Sequence, residues 1–490
     1  MRSLTSGSYR GLSPRMFMLA MVGGTSILNY AFGLAMGWVL SPGDYGLLAF
    51  SQALLLIGGL VLHSGFSWSL ARAVVKAKGP QERDALVRGT LVANLVLATS
   101  IAVVLVLLFA LGPLRGGFER WSMVAVVALC LPFISLMATA SKCAQGSDRF
   151  GIVAALGLTE MSCKTLSGAA LALAGLGALG AISGFLVGAV CSAALGFRQL
   201  AQGIGVRLRG SITLPDVRAS AAMVGALLGL SMLLNLDLAG LKLLSEERSL
   251  VGYYQAGLVL SNAPYYLMGA AILPVLFVQL ARHESIANSE GALGEALGLT
   301  CTLILPFEIV LMVLPREALL AFFPDVYAAG APALSVLAFG NVLLILAAIF
   351  TVSFQAIGRA KVPLMVLLPV TLAEPLVLWA MVPSWGALGA AWGFVAATSV
   401  SLLCLTVLYV RGSSTPVLRR VVPWAARYGL AVGVGLAVGR LTLGYGPAPA
   451  VAVGAAGYLV AATALRLIDP LGMLPGWVPS LRKPAVQKGE

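Results

Sequence analysis

Charged residues are scarce in this sequence. Only 10% of its 490 residues are Asp, Glu, Lys or Arg, whereas a soluble domain carries roughly 25%. Hydrophobic residues make up 59%, and no polar stretch is long enough to form a domain. These features exclude a soluble globular protein, a disordered chain and a soluble body on one or two anchors. A polytopic membrane protein remains.

Cysteine pairs and enzyme motifs are also missing. The six cysteines lie in or beside apolar segments without CxxC spacing, so we interpret them as small buried residues. The motifs GxxxxGK[ST], HExxH and GxSxG are absent, and the predicted outer connections are too short for large catalytic loops. We therefore predict a protein that is not an enzyme and has no cofactor beyond a coupling H⁺ or Na⁺.

Long apolar segments fill most of the chain. A transmembrane helix needs about 20 apolar residues, and turn residues such as Pro42, Pro113 and Pro383 separate neighbouring segments. The predicted fold class is all-α, with about 14 transmembrane helices. The predicted spans are 16–38, 46–71, 89–111, 121–141, 151–174, 178–197, 219–241, 251–280, 296–314, 331–357, 362–382, 386–410, 421–440 and 448–466.

Basic residues are divided unevenly between the two sides of these spans. Only six of the 32 Lys and Arg residues lie in odd-numbered connections, and most of the others lie at the termini and in even-numbered connections. The positive-inside rule places the richer side, and both termini, in the cytoplasm. This rule also accounts for the net charge of +13 without nucleic-acid binding.

Two halves of the sequence repeat each other at offsets of 206 to 210 residues. Such an offset spans six helices, so both copies keep the same orientation. We predict two six-helix lobes, 1–210 and 211–412, related by a parallel repeat, with 413–490 adding two helices and a cytoplasmic tail. The matches are Gly177-Ala-Leu-Gly-Ala181 with Gly386-Ala-Leu-Gly-Ala390, Gln145 with Gln355, Asn29 with Asn235, and Gly46 with Gly252.

Ionisable residues lie inside several predicted spans, where a charge usually marks a pair or a pathway. Glu160 and Lys164 share one helix face, as a self-neutralising pair or as a cavity cation with its counter-ion. Lys164 corresponds in the repeat to Ala373 or Glu374. We expect Lys164 to hold an anionic substrate group, and Glu374 or Glu160 to bind a coupling proton or sodium ion.

Two further acids lie in predicted spans of the second lobe. Asp237 is near the outer end of the seventh span, shortly before Lys242. There an outer gate or a local pair is favoured over a site at the membrane midplane. Glu308 has no evident partner, and the pattern gives it no role beyond facing inward.

The eighth span, 251–280, has a polar and aromatic face within an arc of about 120°. One interpretation is a wall for a sugar. The other is hydrogen bonding between helices with an aromatic belt at the membrane interface. Gln52 in the second span continues the pattern with His63 and Ser67. The residues of the face are Tyr254, Gln255, Asn262, Tyr265 and Tyr266.

Basic residues also stand at the cytoplasmic mouths of the spans. Most serve topology, but those near the seam between the lobes can attract a diphosphate head group. Lys142 with Arg149, and Arg359 with Lys361, occupy repeat-related connections and are the best candidates. The full set is Arg72, Lys76, Lys142, Arg149, Arg282, Arg359 and Lys361.

Several motifs, in order, resemble those of bacterial oligosaccharide flippases in the multidrug/oligosaccharidyl-lipid/polysaccharide exporter superfamily. The opening, Gly24-Thr-Ser-Ile-Leu-Asn29 and then Leu40-Ser-Pro-Gly-Asp-Tyr-Gly46, is one of them. The resemblance covers the first twelve spans, but the arginine-rich opening of peptidoglycan-precursor flippases is missing. The other motifs lie at 144–146, 235–237, 251–253, 323–327, 355–359 and 386–390.

The resemblance implies a V-shaped, two-lobed bundle with a central hydrophilic cavity. It implies a flippase of the bacterial inner membrane that moves undecaprenyl-diphosphate-linked oligosaccharide outward by alternating access, driven by an ion gradient, for surface or exopolysaccharide assembly. The expected partners are this lipid-linked substrate, membrane lipids, and glycan polymerase and export machinery. Asp237 matches an acidic position often seen in the family, whereas Lys164, Glu160 and Glu374 match no motif.

Two alternatives to a flippase stay open. The first is an exporter of small cationic compounds on the same fold, which predicts an acidic cavity. Lys164 and the basic mouths argue against it. The second is a membrane glycosyltransferase or polymerase, which predicts defects in polymer length or linkage.

Overall fold

The computed structural model describes residues 14–118, 120–207, 209–280, 286–412 and 417–465. These residues form helices and no strand, and each predicted span overlaps a described helix, which confirms the all-α polytopic membrane fold. The helices are α1 (Pro14–Val39), α2 (Pro42–Ser64), α3 (Phe66–Lys76), α4 (Pro80–Leu111), α5 (Trp121–Gly146), α6 (Phe150–Leu171), α7 (Gly177–Arg198), α8 (Arg218–Leu233), α9 (Leu236–Leu244), α10 (Arg248–Ser261), α11 (Ala263–Leu280), α12 (Ile286–Val313), α13 (Pro315–Phe322), α14 (Ala331–Ala356), α15 (Lys361–Arg411), α16 (Val417–Leu441) and α17 (Pro447–Ala464).

Six helical runs in the described residues are long and apolar enough to cross a membrane, or seven if α8 and α9, bent by 46°, form one span. Two of them, Phe150–Ile204 and Lys361–Arg411, contain 55 and 51 residues. Gly177 (φ 54°, ψ −137°) interrupts the first and Gly386 (φ 54°, ψ −128°) the second. Gly177 falls between two predicted spans and Gly386 is the first residue of the span 386–410, so each run holds two crossings.

Packing divides the chain into two compact units, Met1–Gln255 and Ala256–Glu490. In the first, α5 packs on α2, α3, α4 and α7, and α6 lies between α1 and α7. In the second, α14 packs on α11, α12 and α15, and the α16–α17 pair packs on α12. This division follows packing and not the repeat, so the lobes 1–210 and 211–412 and the segment 413–490 stay predictions.

The ends of α5 and α14 share one turn, 210 residues apart. The residue after each helix cap has a positive φ, 55° at Asp148 and 80° at Gly358. Two backbone hydrogen bonds close each turn in the pattern of a Schellman motif, so the repeat extends to backbone geometry. They join Arg149 N to Ala144 O (2.9 Å) and Asp148 N to Gln145 O (3.2 Å), and then Arg359 N to Phe354 O (2.8 Å) and Gly358 N to Gln355 O (3.2 Å).

The segment that follows α7 is fastened to the start of α4. The buried Arg88 side chain donates through Nε to Ser211 O (2.7 Å) and through Nη1 to the carbonyls of Arg207 and Arg209. Asp84 Oδ2 accepts from Arg207 N (2.9 Å). The side chains of Arg88 and Asp84 thus satisfy polar backbone groups of the connection between α7 and α8.

Candidate functional site

Lys164 lies on α6 and is only 3% exposed. Its Nζ donates a 2.5 Å hydrogen bond to Asn29 Oδ1 on α1. The same nitrogen lies 5.1 Å from the ring centroid of Phe32 and 4.6 Å from that of Phe185. Both distances are within the range of cation–π attraction. An amide and two aromatic rings, from α1 and α7, therefore enclose the ammonium group.

Glu160 is one turn before Lys164 but does not bind it. Although both residues are described, their side chains form no ion pair. The direct partners of the ammonium are uncharged. No contact with a carboxylate therefore cancels its positive charge.

The packing of α6 on α7 settles which residue of the second copy corresponds to Lys164. Residues that make equivalent contacts in the two copies are 210 positions apart in sequence up to Ala172. From Gly177 onward they are 209 positions apart. Between them, Ala172–Leu176 forms a turn of π-helix, which takes up one residue more than an α-turn. The contacts are those that a Cβ would make at Gly180, with Leu171 and Ala172, and at Gly389, with Met381 and Val382.

Lys164 precedes this extra residue, so its equivalent is Glu374 and not Ala373. Glu374 lies on α15, between Pro369 and Pro375, and is 1% exposed. The two copies thus bury a lysine and a glutamate at the same position of the repeat. That Glu374 binds a coupling cation stays a proposal.

Asp237 lies at a break in the seventh predicted span. It follows Asn235, where α8 gives way to α9, and it is fully buried. Its Oδ2 accepts a 2.6 Å hydrogen bond from Tyr254 Oη, and its Oδ1 accepts one from Leu238 N (2.8 Å). The structure therefore gives Asp237 two local hydrogen-bond partners, Tyr254 and Leu238, and its role as an outer gate or in a local pair stays a prediction.

The predicted polar face does not lie on one uninterrupted helix, because α10 and α11 meet at Asn262. Asn262 Oδ1 accepts a hydrogen bond from Asn341 Nδ2 on α14 (3.0 Å), and Tyr254 is occupied by Asp237. Tyr265 and Tyr266 pack edge to face, with centroids 5.8 Å apart. Hydrogen bonds between helices therefore account for Tyr254 and Asn262, and sugar contacts stay a proposal.

The basic candidates have different surroundings. Lys142 Nζ donates to Gln145 Oε1 (3.0 Å) and lies 4.5 Å from the Trp68 ring centroid. Arg149 Nη1 donates to Gly203 O (2.7 Å) and so joins the start of α6 to the segment that follows α7. Arg72, Arg359 and Lys361 are exposed, Gln52 is half-buried, and Arg282 is outside the described residues.

Three residues around the Lys164 ammonium have no functional role among the predictions from sequence: Asn29, Phe32 and Phe185. Asn29 belongs to a repeat match and to the opening motif 24–29, but neither gave it a function. The contact of these three residues with Lys164 depends on how α1 and α7 pack on α6, because Asn29 is 135 residues away in sequence. Within the described ranges, no group of three or more His, Cys, Asp or Glu is arranged to hold a metal ion.

Comparison with known proteins identifies the family. The family described as "Polysaccharide biosynthesis protein" matches residues 36–332, which is more than half of the chain. No curated protein sequence matches.

Solved transporter structures share the fold. The lipid II flippase MurJ, in an inward closed conformation, is 13% identical and superposes with a TM-score of 0.72, covering 91% of this chain and 98% of that chain. An inward-facing multidrug resistance MATE transporter of the MOP superfamily is 14% identical, with a TM-score of 0.60, covering 80% and 96%. The chain therefore has the flippase and transporter fold of that superfamily.

Proposed function

The chain belongs to the polysaccharide biosynthesis protein family, and from this premise we propose that it is a flippase for undecaprenyl-diphosphate-linked oligosaccharide repeat units. It would work by alternating access in a bacterial inner membrane, with both termini in the cytoplasm. The product would feed surface or exopolysaccharide assembly. Glycan polymerase and export machinery are the partners expected downstream.

The enclosed Lys164 ammonium carries this proposal. A lysine has three N–H donors, and Asn29 accepts one of them. The remaining donors face aromatic rings, which hold a cation without neutralising it. A diphosphate that reached this group would gain charge-assisted hydrogen bonds of the stronger class.

Access to Lys164 requires a change at α1. Asn29 and Phe32 both lie on α1, whereas Lys164 and Phe185 lie on α6 and α7. A displacement of α1 would therefore expose the ammonium and free its donors in one step. In this scheme α1 closes over Lys164 when no lipid diphosphate is bound, and the protein needs no cofactor beyond a coupling cation.

The test uses the full-length protein in liposomes with a fluorescent undecaprenyl-diphosphate oligosaccharide. Flipping is read as loss of accessibility to a reagent outside. We expect the wild type to flip this lipid and Lys164→Met to lose most of the activity, with Ser167→Ala as the control. Ser167 lies one turn away on α6, and its hydroxyl donates to Cys163 O.

Deletion of the gene separates the proposal from its alternatives. Loss of a flippase leaves complete lipid-linked repeat units on the inner leaflet. Sensitivity to cationic drugs with a normal glycan would instead establish an exporter. Polymer of altered length or linkage would establish an enzyme.

A further inference from the structure

Glu308 is a buried acid that the scheme above does not use. It lies on α12 and is 0% exposed. Neither carboxyl oxygen has a hydrogen-bond partner among the described residues. Its neighbours on the helix, Ile304, Leu305, Ile309 and Met312, are also buried.

The surroundings of Glu308 are apolar. Leu305 and Ile309 belong to a core cluster with Tyr428 of α16 and Tyr458 of α17. α14, which also packs on α12, carries no titratable residue. The titratable groups on the other helices that pack on α12 are Tyr265 and Tyr266 of α11, Arg316 and Glu317 of α13, Arg419, Arg420, Arg427, Tyr428 and Arg440 of α16, and Tyr458 of α17.

An ionised carboxylate is not compatible with such a site. None of the described charged groups forms an ion pair with Glu308, and an unpaired buried charge takes up a proton instead. A metal ion would need several oxygen ligands around it, and the described residues bring no polar partner to either oxygen. The neutral acid, COOH, is therefore the form that fits this conformation.

α12 also contains a point of flexibility beside this acid. Pro306, two residues before Glu308, lies inside the helix. A proline cannot donate the helical hydrogen bond to the carbonyl four residues earlier, and it weakens the helix there. A bend of α12 at Pro306 would turn Glu308 out of the apolar core.

We propose that Glu308 is the proton-carrying site of the transport cycle. It holds one proton as COOH in the conformation described. When α12 bends, it reaches water and dissociates to COO⁻ and H⁺. This inference rests on the proposed flippase function for its role in coupling, but the protonated state can be measured without any substrate.

The first experiment is infrared spectroscopy of the full-length protein in lipid nanodiscs at pH 7. We expect the wild-type minus Glu308→Gln difference spectrum to contain the C=O stretch of a protonated carboxylic acid. The matched control is Asp325→Asn, which removes an exposed acid of the same unit, and its difference spectrum should lack this band. A Glu308→Gln difference spectrum without the band overturns the proposal.

The second experiment measures flipping in liposomes with and without a proton gradient. We expect the gradient to accelerate the wild type and Asp325→Asn, and Glu308→Gln to lose this acceleration while it still flips without a gradient. Glu308→Gln that responds like the wild type, or a response to sodium alone, overturns the proposal.

Glu308→Leu guards against a folding defect, since a leucine suits the apolar site and should retain the thermal stability of the wild type. If the wild type flips no lipid-linked oligosaccharide, the proposed function fails, and the infrared result still decides the state of Glu308.

Discussion

Lys164 and Glu374 occupy the same position in the two copies of the internal repeat. The shared turns at Asp148 and Gly358, and the single extra residue taken up by the π-helical turn Ala172–Leu176, establish this correspondence. Both residues are buried. One copy therefore offers a lysine and the other an acid. These are the two groups that the proposed function needs, one for an anionic substrate and one for a coupling cation.

Substitutions at Asn29 separate the charge of Lys164 from its structural support. Asn29→Ala leaves a buried donor without its acceptor and should lower the free energy of unfolding by about 1–3 kcal/mol. Asn29→Asp keeps an acceptor but neutralises the ammonium, so the protein should stay folded and flip at least about tenfold more slowly. Thermal unfolding in detergent and the liposome assay measure the two effects. Asn29→Asp with full activity would show that the charge of Lys164 is not used.

Gly177 should not tolerate a side chain. Its φ of 54° and ψ of −137° lie in a region that costs other residues about 1–3 kcal/mol, and Gly386 has nearly the same angles. We expect Gly177→Ala to lower the free energy of unfolding by that amount, measured by unfolding in detergent. Gly429→Ala is the control, since Gly429 lies inside α16 and a Cβ added there would meet nothing within 4 Å. An equal effect of both substitutions would contradict the assignment of strain.

Arg88 should hold the connection after α7 in place. Arg88→Ala removes the hydrogen bonds from a charged group to three carbonyls. A hydrogen bond of this kind contributes about 1.5–3 kcal/mol to stability. We expect faster cleavage of the segment 205–214 in limited proteolysis. Arg88→Lys should rescue only in part, because an ammonium lacks the planar fork of a guanidinium. Arg115→Ala, at an exposed site with one carbonyl partner, should cleave like the wild type.

Tyr254 and Asp237 should be energetically coupled. Tyr254→Phe removes the 2.6 Å hydrogen bond to a fully buried carboxyl and should lower the free energy of unfolding by about 1–3 kcal/mol. A double-mutant cycle with Asp237→Asn should give an interaction energy of about 0.5–3 kcal/mol. Tyr445→Phe, at an 82% exposed residue, should have no effect. Additive single effects would mean that the bond contributes nothing.

The helices could be predicted from the sequence because apolar runs of spanning length leave little choice in a membrane. The repeat could be recognised from its glycines, but the place of its one-residue slip could not. The segment around Ala172–Leu176 contains only Ala, Leu and Gly, and these residue types do not reveal a π-helical turn.

The candidate site was harder to predict than the fold. The spacing of Glu160 and Lys164 favours a contact along one helix, yet Lys164 binds Asn29 across α1 and α6. The arc from Tyr254 to Tyr265 assumes a single straight helix, and Asn262 interrupts it. Such contacts depend on how helices meet, which periodicity within one helix does not encode.

The matching turns after α5 and α14 have a consequence for descent. Two copies that share a helix ending, a glycine break between two crossings and a closely packed glycine point to one ancestral half that was duplicated once. That ancestor had a single side chain at the place now held by Lys164 and Glu374, so at least one copy has replaced that side chain since then. Backbone architecture has here been inherited more faithfully than charge, and each half is a natural comparison for experiments on the other.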